Sequence, residues 1–154
     1  MRLMTRLMPA QVLRTAWDFE HGDDDWSNTM DLTEVKIGGG LLSARTTGND
    51  PAFFGPPLQA RSTAFKSVAV RMKLQRVDGL PFKDSAQLFW RTRRIPESEA
   101  SSTRFDVVAD GQWHDYRVPV AANQRWRGVI TRLRLDPCNR AGVRIELDGI
   151  RLAP

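Results

Sequence analysis

Residues 67–74 read SVAVRMKL, a stretch in which apolar and polar side chains alternate without a break. In an extended chain Val68, Val70, Met72 and Leu74 share one face, and Ala69, Arg71 and Lys73 share the other. A helix would scatter both sets around its axis, so the stretch reads as a strand with one buried side. The same period returns in GVRIELDGI at 142–150, where Val143, Ile145 and Leu147 alternate with Arg144, Glu146 and Asp148. Gly149 is expected to introduce a bulge before Ile150 and Leu152. In VITRLRLDP at 129–137, Val129, Thr131, Leu133 and Leu135 alternate with Ile130, Arg132, Arg134 and Asp136.

AQLFWRTRR at 86–94 raises the functional question, because an apolar run turns cationic within one strand. Ala86, Leu88, Trp90 and Thr92 point one way; Gln87, Phe89, Arg91 and Arg93 point the other. Trp90 therefore reads as a core residue. The opposite face carries Arg91 outward beside Arg71 and Lys73 or beside Arg132 and Arg134, depending on strand order. Phe89 is awkward on a face that is otherwise solvated.

Repeated one-face alternation marks antiparallel sheets with one buried side each. The expected fold class is all-β: a two-sheet antiparallel β-sandwich of the jelly-roll kind, with roughly eight to ten strands. The strands fall near 15–20, 33–37, 40–46, 65–75, 85–93, 103–108, 113–120, 129–135 and 143–152. Turn signals such as HGDDD at 21–25, GGG at 38–40, TGNDP at 47–51 and DPCN at 136–139 separate them. One domain over 16–154 follows an irregular N-terminal lead over 1–15. The polar segment IPESEASST at 95–103 reads as a mobile loop.

The chain has 154 residues, 41% hydrophobic and 27% charged, the composition of an ordinary globular domain. Its net charge is +5, and of 23 basic residues only Lys36, Lys66, Lys73 and Lys83 are lysines. Such a surface favours an anionic partner. The plain alternative is a host whose codon usage prefers arginine. Cys138 is the only cysteine, which excludes an internal disulfide and a CxxC metal site. No run approaches the roughly 18 apolar residues of a membrane span. The first sixteen residues carry Arg6 and Arg14 where a secretory signal needs an apolar centre.

Catalytic motifs are absent. His21 and His114 lack metal-ligand spacing, no GxSxG elbow or phosphate-binding glycine loop occurs, and a lone Cys138 reads as structural. Glu20, Asp23, Asp24 and Asp25 near the start and Asp148 near the end suit calcium if the terminal strands pair, with TGND at 47–50 completing an oxygen shell. The alternative is a solvated turn and a bulge cap.

Five tryptophans accompany one tyrosine. Sugar C–H faces stack on flat rings while hydroxyls bond polar neighbours, so tryptophan beside polar residues suits a glycan site. Trp26 in DDDWSN, Trp113 in GQWHDYR and Trp126 in QRWRG are the stacking candidates; rim or core placement is the alternative for each. Arg91, Arg132 and Arg134 are the polar candidates, since a guanidinium fork pairs oxyanions bidentately. Aromatics among arginines also suit single-stranded nucleic acid, but no RNA-binding motif or lysine run accompanies them, and no nucleic acid is expected.

The order WDFE…DDDW, TGNDPAFFGPPL, AQLFWRT, DGQWHDYRVPV, W-x-G-x-ITRLRLDP and IELDGIRL resembles the galactose-binding-like jelly roll. More narrowly it resembles carbohydrate-binding-module-like domains attached to bacterial glycoside hydrolases, lyases, sulfatases and some glycosyltransferases. The resemblance covers roughly 16–152. It implies a non-catalytic, accessory carbohydrate-binding module whose partners are a polysaccharide or glycan and a parent carbohydrate-active enzyme. It also implies, as in many relatives, a structural calcium near the chain ends, with acidic ligands at Glu20 and Asp148. This chain is richer in arginine than a binder of neutral cellulose or xylan needs, so an acidic glycan is the expected target. The remaining alternatives are a sandwich that packs against a neighbouring domain, and a small jelly-roll enzyme with His114 and two carboxylates in a pocket.

Overall fold

The computed structural model describes residues 13–20 and 25–154. Most of the expected N-terminal lead, together with Asp23 and Asp24, lies outside the described residues. Apart from short 3-10 turns, every regular element described is a strand. The twelve are β1 (Ala16–Trp17), β2 (Asn28–Met30), β3 (Leu32–Gly38), β4 (Leu41–Thr46), β5 (Ala52–Phe54), β6 (Ala60–Arg61), β7 (Ser67–Arg76), β8 (Phe82–Thr92), β9 (Ser102–Ala109), β10 (Trp113–Val118), β11 (Val129–Asp136) and β12 (Val143–Ala153). No described helix is long and apolar enough to cross a membrane.

They form two antiparallel sheets. The first runs β10-β7-β12-β4-β3, and β1 pairs the far half of β12. The second runs β2-β5-β11-β8-β9, and β6 pairs the near end of β11. Each sheet thus has one long central strand whose two halves meet different neighbours. On β12 the handover from β4 to β1 falls beside the bulge between Leu147 and Gly149, as the sequence led us to expect. The glycines of the β3–β4 hairpin serve geometry: Gly39 and Gly40 have φ of 62° and 82°, the left-handed region that a side chain disfavours.

Alternation places the core where the sequence implied. Val68, Val70, Met72 and Leu74 of β7 and Ile145, Leu147 and Ile150 of β12 meet Leu88 and Trp90 of β8 and Leu133 and Leu135 of β11 in one buried cluster. One assignment is corrected. Ile130 was placed on the arginine face of its strand, yet it is fully buried, because a bulge between Ile130 and Arg132 shifts the register by one residue.

Trp90 has no exposed surface. Its ring meets Trp126 edge-on at 5.2 Å, and its Nε1 donates to the Arg125 carbonyl at 3.0 Å. Ring, contact and hydrogen bond all act together, so truncation removes a large apolar volume and leaves a carbonyl without its donor. Trp90→Ala is expected to lower unfolding free energy by about 3–5 kcal/mol. Urea denaturation checks this; a loss comparable to that of a surface substitution would contradict the core assignment.

Candidate functional site

The six sequence-selected binding residues do not form one site. Trp26 is fully buried and packs edge-on against Trp17 at 5.4 Å, so neither of its faces is open to a sugar ring. Trp126 is 6% exposed, and its Nε1 donates to the carbonyls of Phe65 and Ser62 at 2.8 and 3.3 Å. Polar neighbours in sequence suggested exposure for both; backbone carbonyls and a second indole supply the burial instead. Trp113 is half-buried on the outer face of the first sheet, with Arg71 and Lys73 over its ring at 5.3 and 5.1 Å.

Arg91, Arg132 and Arg134, by contrast, share the outer face of the second sheet. Arg132 lies directly opposite Arg91, and Arg134 directly opposite Phe89, across the β11–β8 ladder. Pairing extends the second row over the whole sheet, as Asn28, Phe54, Arg134, Phe89 and Ser102 in turn. Arg134 is the centre of that row. Its guanidinium carbon lies 4.5 Å from the Phe89 ring centroid and 5.2 Å from that of Phe54. Cation–π attraction of this kind strengthens where water is excluded, and the Arg134 side chain is only 16% exposed.

Carboxylates complete the wedge. Arg134 Nε and Nη2 donate to the two oxygens of Asp136 at 2.8 and 2.9 Å, and Nη1 donates to Glu97 at 3.3 Å. Asp50 stands 3.8 Å away. Glu97 belongs to the segment expected to be a mobile loop. That segment folds back over the sheet instead: Gln87 donates to Glu99 and Ser102, and Asn123 donates to the carbonyls of Ala100 and Ser102. Its acids and backbone carbonyls thus bond side chains of the sheet and of the 120–123 turn.

Burial pushes the Asp136 carboxyl up to about 6, with Asp50 and Glu97 adding repulsion, even though Arg134 pulls the other way. For Arg134, burial opposes the charge, but Asp136 and Glu97 outweigh it and the guanidinium is held more firmly protonated. The Asp136 side chain is only 9% exposed and has two acidic neighbours, Asp50 and Glu97.

Arg91 and Arg132 differ from Arg134 in having no carboxylate partner among the described residues. Arg132 Nη1 donates to the Gly55 carbonyl at 3.1 Å, and among the described residues neither guanidinium is ion-paired. Like charges directly opposite in a ladder are unfavourable unless an anion lies between them. Sequence reasoning missed Phe54, Asp136, Glu97 and Asp50 as members of the site. Phe89 on the cationic face was the one signal available.

Of the expected metal pair, Asp148 has a cation as its partner. Asp148 accepts from Arg71 Nε at 3.2 Å, whereas the Glu20 carboxylate lies over the Cα of Gly40 in the β3–β4 turn. No group of three potential metal ligands occurs among the described residues. His114 holds one carboxylate, Asp110, at 2.9 and 3.0 Å in the exposed β9–β10 turn; that bond keeps Asp110 below its usual value. Burial pushes the Cys138 thiol up to about 12, which leaves it inert as a nucleophile.

No family model and no curated protein matches the chain. Solved structures do. An arginine-to-alanine variant of a family 29 carbohydrate-binding module is similar with a TM-score of 0.59 and 10% identity, covering 91% of this chain and 92% of that one. A lysine variant of that module complexed with cellulohexaose gives 0.57 and 12%, covering 89% of each chain. A family 6 module from Clostridium stercorarium in complex with cellobiose gives 0.50 and 11%, covering 86% and 91%. At these identities the likeness shows the fold, which is the β-sandwich of carbohydrate-binding modules.

Because the folded chain holds the Asp136 proton more tightly than the unfolded chain does, this group favours folding below the ordinary carboxyl range. That contribution is lost as pH rises through about 6. Between about pH 4 and pH 7 the native protein should lose about 2–3 kcal/mol more stability than Asp136→Asn loses. Denaturant titrations of both proteins at the two pH values measure the difference; equal losses would show that Asp136 does not titrate in this window.

Proposed function

We propose that the chain is a non-catalytic module that binds a polysaccharide or glycan, preferably an acidic one, across the outer face of its second sheet. We further propose that it serves as an accessory domain of a larger carbohydrate-active protein. The observation that carries the binding reading is the opposed Arg91 and Arg132, without an ion pair among the described residues, beside the Phe54–Arg134–Phe89 wedge. A carboxylate or sulfate on a sugar polymer would relieve the repulsion between the two guanidinium groups and accept a fork from each. The half-buried Phe54 offers an apolar surface to the sugar ring next to them. Arg134, held by Asp136 and Glu97, acts as a fixed platform rather than a free anion receptor. Support also comes from the solved modules: family 29 variants made to probe ligand recognition replace arginine, aspartate, tyrosine and lysine, the side-chain kinds of an aromatic and charged face.

The packing-domain alternative needs a contiguous apolar patch. Among the described residues the exposed large hydrophobics are Met30 on β2 and Val77 and Leu80 in the β7–β8 turn, which do not make one. The enzyme alternative needs a second carboxylate at His114, and among the described residues Asp110 is the one that bonds it.

Affinity electrophoresis against neutral, uronic and sulfated polysaccharides tests the reading. Retardation by one acidic class should persist at raised salt, and the double variant Arg91→Gln, Arg132→Gln should lose about tenfold in affinity at unchanged melting temperature. Equal retardation by neutral and acidic polymers would remove the acidic preference. No retardation by any polymer would overturn the carbohydrate reading in favour of packing. Calcium is tested separately. With Asp148 committed to Arg71, saturating calcium or chelator should shift the melting temperature by less than about 2 °C; a larger, calcium-specific rise would require a shell completed by residues outside those described.

A further inference from the structure

The opposite side of the sandwich holds a separate cleft of about 560 Å³ on the outer face of the first sheet. Its size lies within the range of small-molecule sites. The register explains why it is there. Arg117 of β10, Ala69 of β7, Arg151 of β12 and Ala16 of β1 are consecutive partners across four strands, so all four project from the same face. The methyl group of Ala69 leaves a gap between two guanidinium-bearing strands about 10 Å apart. One step along the ladder Gly149 sits opposite Arg71, and its lack of a side chain prolongs the gap.

Charge divides the cleft into two ends. In the row of Asp115 and Gly149, Arg71 bonds both Asp115 at 3.1 Å and Asp148 at 3.2 Å, so two carboxylates share one cation; Arg14 and Asp18 also line the cleft. Two residues along, Arg117 donates to the backbone oxygen of Pro154 at 3.0 Å and pairs with no Asp or Glu among the described residues; Arg151 is exposed and likewise pairs with none. One end therefore favours an anion and the other favours hydroxyl donors, with an alanine and glycine floor between them. Trp113, the one tryptophan of the original three that is not buried, stands on this same face beside Arg71.

The geometry points to a second binding site in this cleft for a carboxylate-bearing sugar residue. Arg117 and Arg151 clamp the carboxylate, Asp115 and Asp148 accept from ring hydroxyls, and the Ala69–Gly149 floor admits the flat ring. A bounded cleft suits a single acidic residue or chain end, whereas the open face of the second sheet suits a continuous polymer. The assignment does not depend on that other face binding anything.

Amide chemical shifts of the full chain, titrated with glucuronate and in parallel with glucose, provide the test. Glucuronate should give saturable shifts at Ala69, Arg117, Gly149 and Arg151, and glucose should not. Arg151→Gln should weaken glucuronate about tenfold. Ala69→Leu, which fills the floor without changing charge, should abolish the shifts, while Arg91→Gln with Arg132→Gln should leave them intact. Three results would overturn the site: equal shifts with glucose, glucuronate shifts confined to β8 and β11, or an Arg151→Gln variant that binds as the native chain does. Shifts that disappear wholly in about 0.5 M salt would overturn it too, as marking only a basic surface.

Discussion

The placement of the arginines on the second sheet follows from the burial of one inner row: Leu88 and Trp90 on β8, against Leu133 and Leu135 on β11. Side chains in a strand alternate with a period of two, so a slip of one residue would exchange that row for Phe89, Arg91, Arg132 and Arg134. Burying guanidinium groups among Val70, Met72, Ile145 and Leu147 would cost far more than any contact could return. The register is therefore locked from inside, and the arginines meet on the outer face as a consequence. No interaction among them has to hold them there.

Two opposite faces result, and they handle charge differently. On the first sheet Arg71 is balanced by Asp115 and Asp148, Lys73 by Glu146 at 3.0 Å, and Arg45 by Glu34 at 3.5 Å. On the second sheet Arg134 is over-balanced by acids, while Arg91 and Arg132 are balanced by none of the described residues. A net charge of +5 hides this division. On each outer face one pair of exposed arginines lacks an ion-pair partner among the described residues: Arg91 and Arg132, directly opposed on β8 and β11, and Arg117 and Arg151, on either side of Ala69.

The sandwich was readable because its evidence is local: an alternating strand such as 67–74 or 142–150 states its buried side within eight or nine residues. The site was only half readable, because its evidence is not local. Arg91, Arg132 and Arg134 could be selected by chemistry, but their adjacency depends on β8 pairing β11. Trp26 and Trp126 were misjudged for the same reason. DDDWSN and QRWRG describe polar surroundings along the chain, yet Trp17 covers one ring, and carbonyls from the Ser62–Phe65 turn satisfy the other. A tryptophan carries a single donor, so one distant carbonyl is enough to permit burial. The segment at 95–103 misled in the opposite sense, since its acids are partners for cations elsewhere. Ile130 moved because a bulge, unlike a strand, has no sequence period to announce it.

Arg134 shows why the residue type matters as much as the position. Its guanidinium meets two phenyl rings across the strands and two oxygens of Asp136 within its own strand, with Glu97 on the remaining side. A planar cation with donors around its edge satisfies both demands at once: the faces meet rings and the edge meets carboxylates. A lysine ammonium has no faces and three donors, so it would leave either the rings or one acid without a partner. Asp136, already made a weak acid by burial, would then lose the fork that keeps its charge tolerable in that position. The wedge is thus arginine by geometric necessity. It converts two phenyl rings and three acids into one rigid strip, next to which Arg91 and Arg132 remain exposed and uncommitted to any acid among the described residues.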